Sequence, residues 1–168
     1  EKANMAQYRY IKLKQQVNPH FLFNSLNILD CLICDECTER ASSYTHKLAG
    51  VYRYMLKSED EMVVPLRDEL VFVNLYVDLL KERFPVGFNV ETEVPESLLA
   101  RYVLPCSIQL LIENAIKHNT VSEDNPLVIS IKTDGEYIKV TNNISPKVTQ
   151  SPSTGLGQQY IRQMYLDL

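Results

Sequence analysis

The sequence predicts an α+β protein with a helical front and a mixed back, on three observations. Chain punctuation is uneven: before Pro65 the only proline and glycine are Pro19 and Gly50, whereas the rest of the chain holds four glycines and seven prolines. Breakers of this kind gather where short elements alternate. Apolar residues of the front recur at helical spacing, and short stretches of the back alternate apolar with polar residues as half-buried strands do.

From Gln7 to about Ile33 the pattern is helical. A second helix follows from about Thr38 to Lys57, with Ala41, Tyr44, Leu48, Val51 and Met55 three or four apart. Two helices with a short join form an antiparallel hairpin. Such a hairpin buries too little surface alone, so it is expected to dock on the rest of the chain or on a copy of itself as a four-helix bundle, and the second is favoured, making the protein a homodimer. Leu66, Leu70, Val73, Val77, Leu80 and Phe84 mark a third helix, ended by Pro85-Val86-Gly87. Strands are expected at Phe88–Thr92, Leu127–Ile131 and Tyr137–Thr141, the last two joined through an Asp134-Gly135 turn. A helix from about Pro105 to His118 lies between them, and the polar stretch Asn142–Thr154, with Pro146 and Pro152, reads as a long mobile loop. The expected division is a helical dimerisation segment, residues 1–62, and a back domain, residues 63–168.

Composition narrows the function. Seventeen basic against 21 acidic residues give a net charge of −4, which offers nucleic acid no electrostatic footprint. No uncharged apolar run reaches the roughly 18 residues of a spanning helix, so this piece is expected not to cross a membrane. Four cysteines are too few for a disulfide scaffold and point to reduced thiols in the cytoplasm. Cys31, Cys34 and Cys37 have metal-like spacing but no evident fourth ligand nearby; a metal-responsive scaffold built on them would carry stoichiometric zinc or iron. Opening at Glu1 and closing within a helical pattern, the chain reads as a fragment of a longer protein.

Projected around a helix, His20, Asn24, Asn27 and Cys31 share one polar sector, while Phe21, Leu22, Leu26, Ile28, Leu29 and Ile33 fill the others. Pro19 is expected to forfeit the bond to the Gln15 carbonyl and bend the helix just before the histidine. From periodicity alone His20 is an ordinary surface residue. The word Gln16-Val17-Asn18-Pro19-His20-Phe21-Leu22-Phe23-Asn24-Ser25-Leu26-Asn27, however, closely resembles the phosphoacceptor box of the LytS/YehU-type sensor histidine kinases. The resemblance implies that His20 receives the γ-phosphoryl group of ATP on a ring nitrogen and passes it to an aspartate of a response regulator. An imidazole, with an ordinary pKa of about 6.5, is mostly neutral near pH 7 and keeps a lone pair for attack. Where many histidine kinases follow the histidine with an acid, this chain has Phe21, so the base must come from elsewhere. Asn24, one turn on, can orient an imidazole but cannot accept a proton at neutral pH.

The helix 105–118 sets Ile108, Leu111, Ile112, Ala115 and Ile116 at core spacing and Gln109, Glu113, Asn114, Lys117 and His118 on the opposite half, with Leu110 a misfit. By spacing this is an ordinary amphipathic helix. The word Leu111-Ile112-Glu113-Asn114-Ala115-Ile116-Lys117-His118-Asn119 is similar to the N box of the GHKL-type ATP-binding fold shared by gyrase, MutL and histidine kinases. The similarity implies an α/β sandwich in which Asn114 holds Mg²⁺ against the phosphates while Lys117 and His118 face phosphate or ribose. Oxygen ligands suit a hard cation and Lys supplies a point charge. Glu113 is open to two roles, a ligand to metal-bound water or a partner of Lys117.

Val140-Thr141-Asn142-Asn143-Ile144 stands where that fold has an Asp-x-Gly word, so Asn142 replaces the acid that accepts the adenine amino proton and Ile144 replaces the glycine. Ser153-Thr154-Gly155-Leu156-Gly157 resembles the second glycine box, in which Gly155 and Gly157 let backbone amides approach phosphate, although Gln158 and Tyr160 depart from the usual continuation. Arg53-Tyr54 and Glu82-Arg83-Phe84 also match recurrent words of the LytS-like family, with a packing or pairing role expected. The resemblance thus implies a helical hairpin followed by a GHKL-type sandwich, with loop 143–154 as a lid over ATP. It implies the cytoplasmic kinase core of a bacterial inner-membrane sensor. The rival reading is a degenerate kinase that dimerises or docks a regulator without turning over ATP.

Overall fold

The computed structural model describes residues 19–148 and 156–166, apart from the side chains of Leu156 and Tyr160. The fold is α+β, with helices and a mixed sheet. Helix α1 (Pro19–Cys34) opens the described chain; the bend expected before His20 involves residues outside the described ones. It ends in a Schellman motif: Glu36 takes the left-handed conformation (φ 58°), Cys37 N donates to Leu32 O and Glu36 N to Ile33 O. That reversal leads into α2 (Thr38–Lys57), which buries Ala41, Tyr44, Leu48, Val51 and Met55, the predicted stripe. Phe21, near the start of α1, meets Tyr52 near the end of α2, and Leu32 and Ala41 are buried at the other end, so the two helices are antiparallel.

A one-turn 3₁₀ segment (Ser58–Asp60) leads to β1 (Val64–Pro65) and α3 (Leu66–Arg83). Pairs Arg40–Glu82 at 2.6 Å and Lys47–Asp78 at 2.9 Å, with Tyr54 stacked on Phe72 at 4.3 Å, run α3 antiparallel to α2. The sequence predicts one apolar stripe on α3; the structure adds a second, Phe72, Tyr76 and Leu79, together with Glu69. The reason is that α3 is packed on two sides, by the hairpin on one and by the sheet and a further helix on the other. It is the central element of the molecule.

β2 (Phe88–Glu93) pairs in parallel with β4 (Leu127–Asp134), which pairs antiparallel with β5 (Tyr137–Asn142), in the order β2-β4-β5. A second small ladder joins β1 to β3 (Tyr102–Val103), too short to show alternation in sequence. Gly135, at φ 61°, opens the two-residue hairpin loop as a type II′ turn requires. Leu127, Ile129 and Ile131 are fully buried beneath α3 and α4 (Ser107–His118). The other face is polar, with Lys132 paired to Glu93 at 3.1 Å. Helix α5 (Leu156–Leu166) lies on α4. One hydrophobic cluster runs without a break from Leu32 through α3 to Ile131.

Among the described residues no helix is long and apolar enough to cross a membrane, and no cluster of three His, Cys, Asp or Glu could hold a metal ion. Cys31 and Cys34 are exposed, while the Cys37 thiol lies 3.6 Å from the Asp35 carbonyl. The triplet with metal-like spacing forms no such cluster among the described residues.

Candidate functional site

His20 lies exposed in the first turn of α1, and its Nδ1 is 3.1 Å from Asn24 Nδ2 one turn later. The predicted polar sector is present: Asn27 and Cys31 are exposed or partly so, as is Asn24. The neighbouring sectors divide. Phe21 turns inward on Tyr76 and Tyr52, while Phe23, Leu26 and Ile33 stay 64%, 49% and 60% exposed.

The second group sits on α4. Ile108, Ile112, Ala115 and Ile116 are buried against α3 and the sheet, which leaves Asn114 half-buried at the edge, followed one turn later by the exposed Lys117 and half-buried His118. Positions three and four apart share a helix face, so these three side chains line one strip. Among the described residues no hydrogen bond holds the Asn114 amide. Glu113 behaves differently: its Oε2 accepts from Gln109 Nε2 at 3.0 Å, and its charge is felt by the fully enclosed Tyr76 hydroxyl, which also faces Gln109. Burial first, and then Glu113, push the Tyr76 phenol well above its ordinary pKa, so it stays protonated.

Gln109 is therefore a correction to the helical projection. It is 5% exposed, not on the polar half, because Tyr76 and Glu113 give its amide partners inside. The misfit Leu110 also finds its reason, for with Leu104 and Pro105 it borders Ile161 and Met164 of α5.

Asn142 ends β5. Its cross-strand partner is the buried Ile129, so alternation puts it with Val140 and Ile138 on the helix-covered face of the sheet, the α4 side. Its Nδ2 donates to Asn143 O at 2.7 Å, leaving Oδ1 as an acceptor. Gly157 lies in the first turn of α5, and Gly155 falls outside the described residues.

The loop expected to be mobile from 143 to 154 is fastened over its first part. Asn143 Oδ1 accepts from Val128 N and its Nδ2 donates to Pro126 O, both at 2.8 Å. Ser145 N donates to Asn119 Oδ1 at 2.9 Å, Thr120 N to Ser145 O, and Lys147 N to His118 O. The buried Asn119 completes this clamp by donating to Ala115 O. The expected lid is thus not free to move between Asn143 and Lys147. Residues 149–155 lie outside the described ones.

Sequence reasoning missed Glu69, Tyr76, Asn119 and Asn143. Glu69 is fully buried on α3, accepts from Tyr54 Oη at 2.6 Å and Cys106 N at 3.1 Å, and has its carboxyl pushed up to about 7 by burial. Its place one turn after Leu66, on the buried side, was the available signal. A cavity of about 570 Å³ opens between α2, α3 and Tyr102, bordered by Arg53, Lys57, Glu61 and Asp68; no residue predicted for phosphate, metal or nucleotide lines it.

Comparison with known proteins gives these features a family. The family model described as "Histidine kinase" matches residues 8–88. The chain is 32% identical over 165 residues to the protein named Sensor histidine kinase BtsS of Escherichia coli K12, covering 96% of this chain and 29% of that one. It is 36% identical over 106 residues to Sensor protein LytS of Bacillus cereus, covering 63% and 18%, and 34% identical over 130 residues to Sensor protein LytS of Enterococcus faecalis, covering 76% and 22%. The chain spans less than a third of the length of these relatives.

Proposed function

The chain belongs to the LytS-type family of sensor histidine kinases, and from that premise we propose that it is the kinase core of a two-component sensor. In this reading His20 takes the γ-phosphoryl group of ATP and passes it to an aspartate of a response regulator. Residues 1–62 form the dimerising, phosphoacceptor hairpin and residues 63–168 a GHKL-type nucleotide-binding sandwich. The longer protein would be a membrane-bound sensor with this portion in the cytoplasm.

The observation that carries the reading is an exposed His20 beside Asn24 within the phosphoacceptor word. The Asn24 NH₂ end lies at Nδ1, an arrangement that occupies the Nδ1 lone pair and puts the proton on Nε2. Turning the isosteric amide by 180° lets Oδ1 accept from Nδ1–H and moves the ring lone pair to Nε2, the nitrogen proposed for in-line attack. Asn24 is thus the orienting residue, and the base is not on α1 directly after the histidine.

On the nucleotide side the donor chemistry fits. Asn114 offers an amide oxygen with no hydrogen bond among the described residues to Mg²⁺, which when bound would neutralise phosphate charge. Lys117 and His118 share its strip, and Asn142 keeps Oδ1 for an adenine amino proton on the same side of the sheet. Glu113 fits less well as a metal ligand, since Gln109 already takes its Oε2. The glycines at 155 and 157 would bring backbone amides to phosphate. Homodimer formation is supported by the apolar stripe Phe23, Leu26 and Ile33 left bare on α1.

The test is incubation with γ-labelled ATP and Mg²⁺ of wild type and His20→Gln. Acid-labile, alkali-stable label in the first and none in the second is expected. Label that persists in the variant would overturn the assignment of His20.

A further inference from the structure

Glu69 is the one acidic side chain among the described residues with no solvent exposure, and nothing assigned above uses it. Its carboxylate stands at the start of α4: Oε2 accepts from Cys106 N at 3.1 Å and Oε1 from Ile108 N at 3.4 Å. Cys106 itself is left-handed (φ 62°) and gives the helix no side-chain cap, so the cap comes from another helix 37 residues away in sequence. A carboxylate at a helix N-terminus satisfies orphan amides and suits the dipole.

The same Oε2 accepts from Tyr54 Oη at 2.6 Å. Tyr54 belongs to α2, and its ring is stacked on Phe72 at 4.3 Å and 13°, which leaves the hydroxyl little freedom. Three helices therefore meet on one carboxylate. Asn114 follows Ser107 by seven residues, about 10 Å along the helix axis at the usual rise. A rigid rod pinned at its first turn presents a residue two turns on at a fixed height and roll.

We propose that Glu69 is a positioning residue for nucleotide binding, holding α4 to the hairpin through Tyr54 so that Asn114 offers its amide oxygen at a fixed place. The inference rests on the reading of Asn114 given above. A residue that only stabilised the fold would change the folded fraction but not the affinity of folded molecules, nor its dependence on Mg²⁺.

The experiment compares wild type, Glu69→Gln and Tyr54→Phe in the 168-residue chain. It uses titration with a fluorescent ATP analogue, with Mg²⁺ and with EDTA, and amide exchange at Cys106, Ser107 and Ile108. Each variant is expected to weaken Mg²⁺-nucleotide binding by about tenfold, the worth of one hydrogen bond to a charged group. The difference between the Mg²⁺ and EDTA titrations should shrink, and the three amides should exchange faster. Tyr54→Phe keeps the ring stacking, so it carries the test if Glu69→Gln does not fold. Folded Tyr54→Phe with wild-type affinity and Mg²⁺ dependence, or with wild-type exchange at all three amides, would overturn the proposal. A wild-type chain that binds no nucleotide sinks the reading of Asn114 and the nucleotide part of the proposal with it; faster exchange would then still uphold the clamp, and unchanged exchange would remove that too.

Discussion

The ring of Phe21, next in sequence to His20, lies 5.3 Å from the ring of Tyr76 and tilted 41° to it. The hydroxyl of Tyr76 faces Gln109 and Glu113, the latter preceding Asn114. The helix bearing the histidine and the helix bearing the asparagine therefore lean on opposite ends of one buried phenol. Phe21→Ala should destabilise the fold by about 2–4 kcal/mol, since the ring is partly buried and its loss leaves a gap. Tyr76→Phe should cost about 1–2 kcal/mol through the stranded polar group. A Phe21→Ala, Tyr76→Ala double-mutant cycle in urea should show coupling on the order of 1 kcal/mol. Strict additivity would mean that the two rings do not support each other.

Asn24 can orient His20 but cannot take its proton, and Phe21 stands where an acid would. Asn24→Asp puts a carboxylate at the same distance, able to hold Nδ1–H and favour attack from Nε2. The expected outcome is faster labelling of His20 near pH 7, by about tenfold or more if proton acceptance limits the step. Asn24→Ala should slow labelling without abolishing it. Initial rates of phosphoramidate formation check both.

Burial lifts the Glu69 carboxyl from its ordinary 4.5 to about 7, against the downward pull of Tyr54 and the amides at 106 to 108. The folded protein thus keeps a proton that the unfolded chain releases between those values. This contribution is fully present below about pH 4.5, is lost as pH rises to about 7, and is flat beyond. Its size is on the order of 3 kcal/mol at one pKa unit per 1.36 kcal/mol. Urea unfolding from about pH 5 to 8 should show wild type losing more stability than Glu69→Gln, and equal slopes would refute the shift.

What the sequence makes legible is whatever rests on local spacing. The stripe on α2 and the Asp134-Gly135 hairpin depend on residues within a few positions, and periodicity finds them. Gln109, Glu69 and Leu110 depend on partners brought in from other elements: Tyr76 on α3, Tyr54 on α2, Ile161 and Met164 on α5. A helical wheel assigns a polar residue to water unless it knows of such a partner. The candidate site divides in the same way. His20 and Asn24 are one turn apart and visible together, whereas the Asn119 and Asn143 clamps join segments 26 and 15 residues apart.

Asn119 satisfies two backbone groups, donating to Ala115 O and accepting from Ser145 N. Asn119→Ala should strand Ser145 N, while Ala115 O keeps the Asn119 main-chain N–H, and cost about 1–3 kcal/mol. It should also speed amide exchange at Thr120, Ser145 and Lys147 before the sheet opens. If those three amides keep wild-type protection, the clamp does not fasten the loop.

Two glycines with positive φ give opposite expectations. Gly87 (φ 74°) passes so close to the segment before β4 that a Cβ would lie 2.2 Å from Ser122 O and 2.4 Å from Ser122 C. Those are backbone atoms and cannot rotate aside. Gly87 O also accepts from Leu127 N at 2.8 Å, the bond that opens the parallel β2–β4 ladder. Gly87→Ala therefore combines left-handed strain with a clash against main chain, and should cost more than about 3 kcal/mol. At Gly135 (φ 61°) a Cβ would have no other atom within 4 Å. Gly135→Ala therefore meets conformational strain alone, about 1–2 kcal/mol. Urea midpoints of the two variants separate these contributions. Because β4 carries the register that puts Asn142 on the helix side, Gly87→Ala should also impair nucleotide binding, while Gly135→Ala, at the far end of the hairpin, should leave it intact.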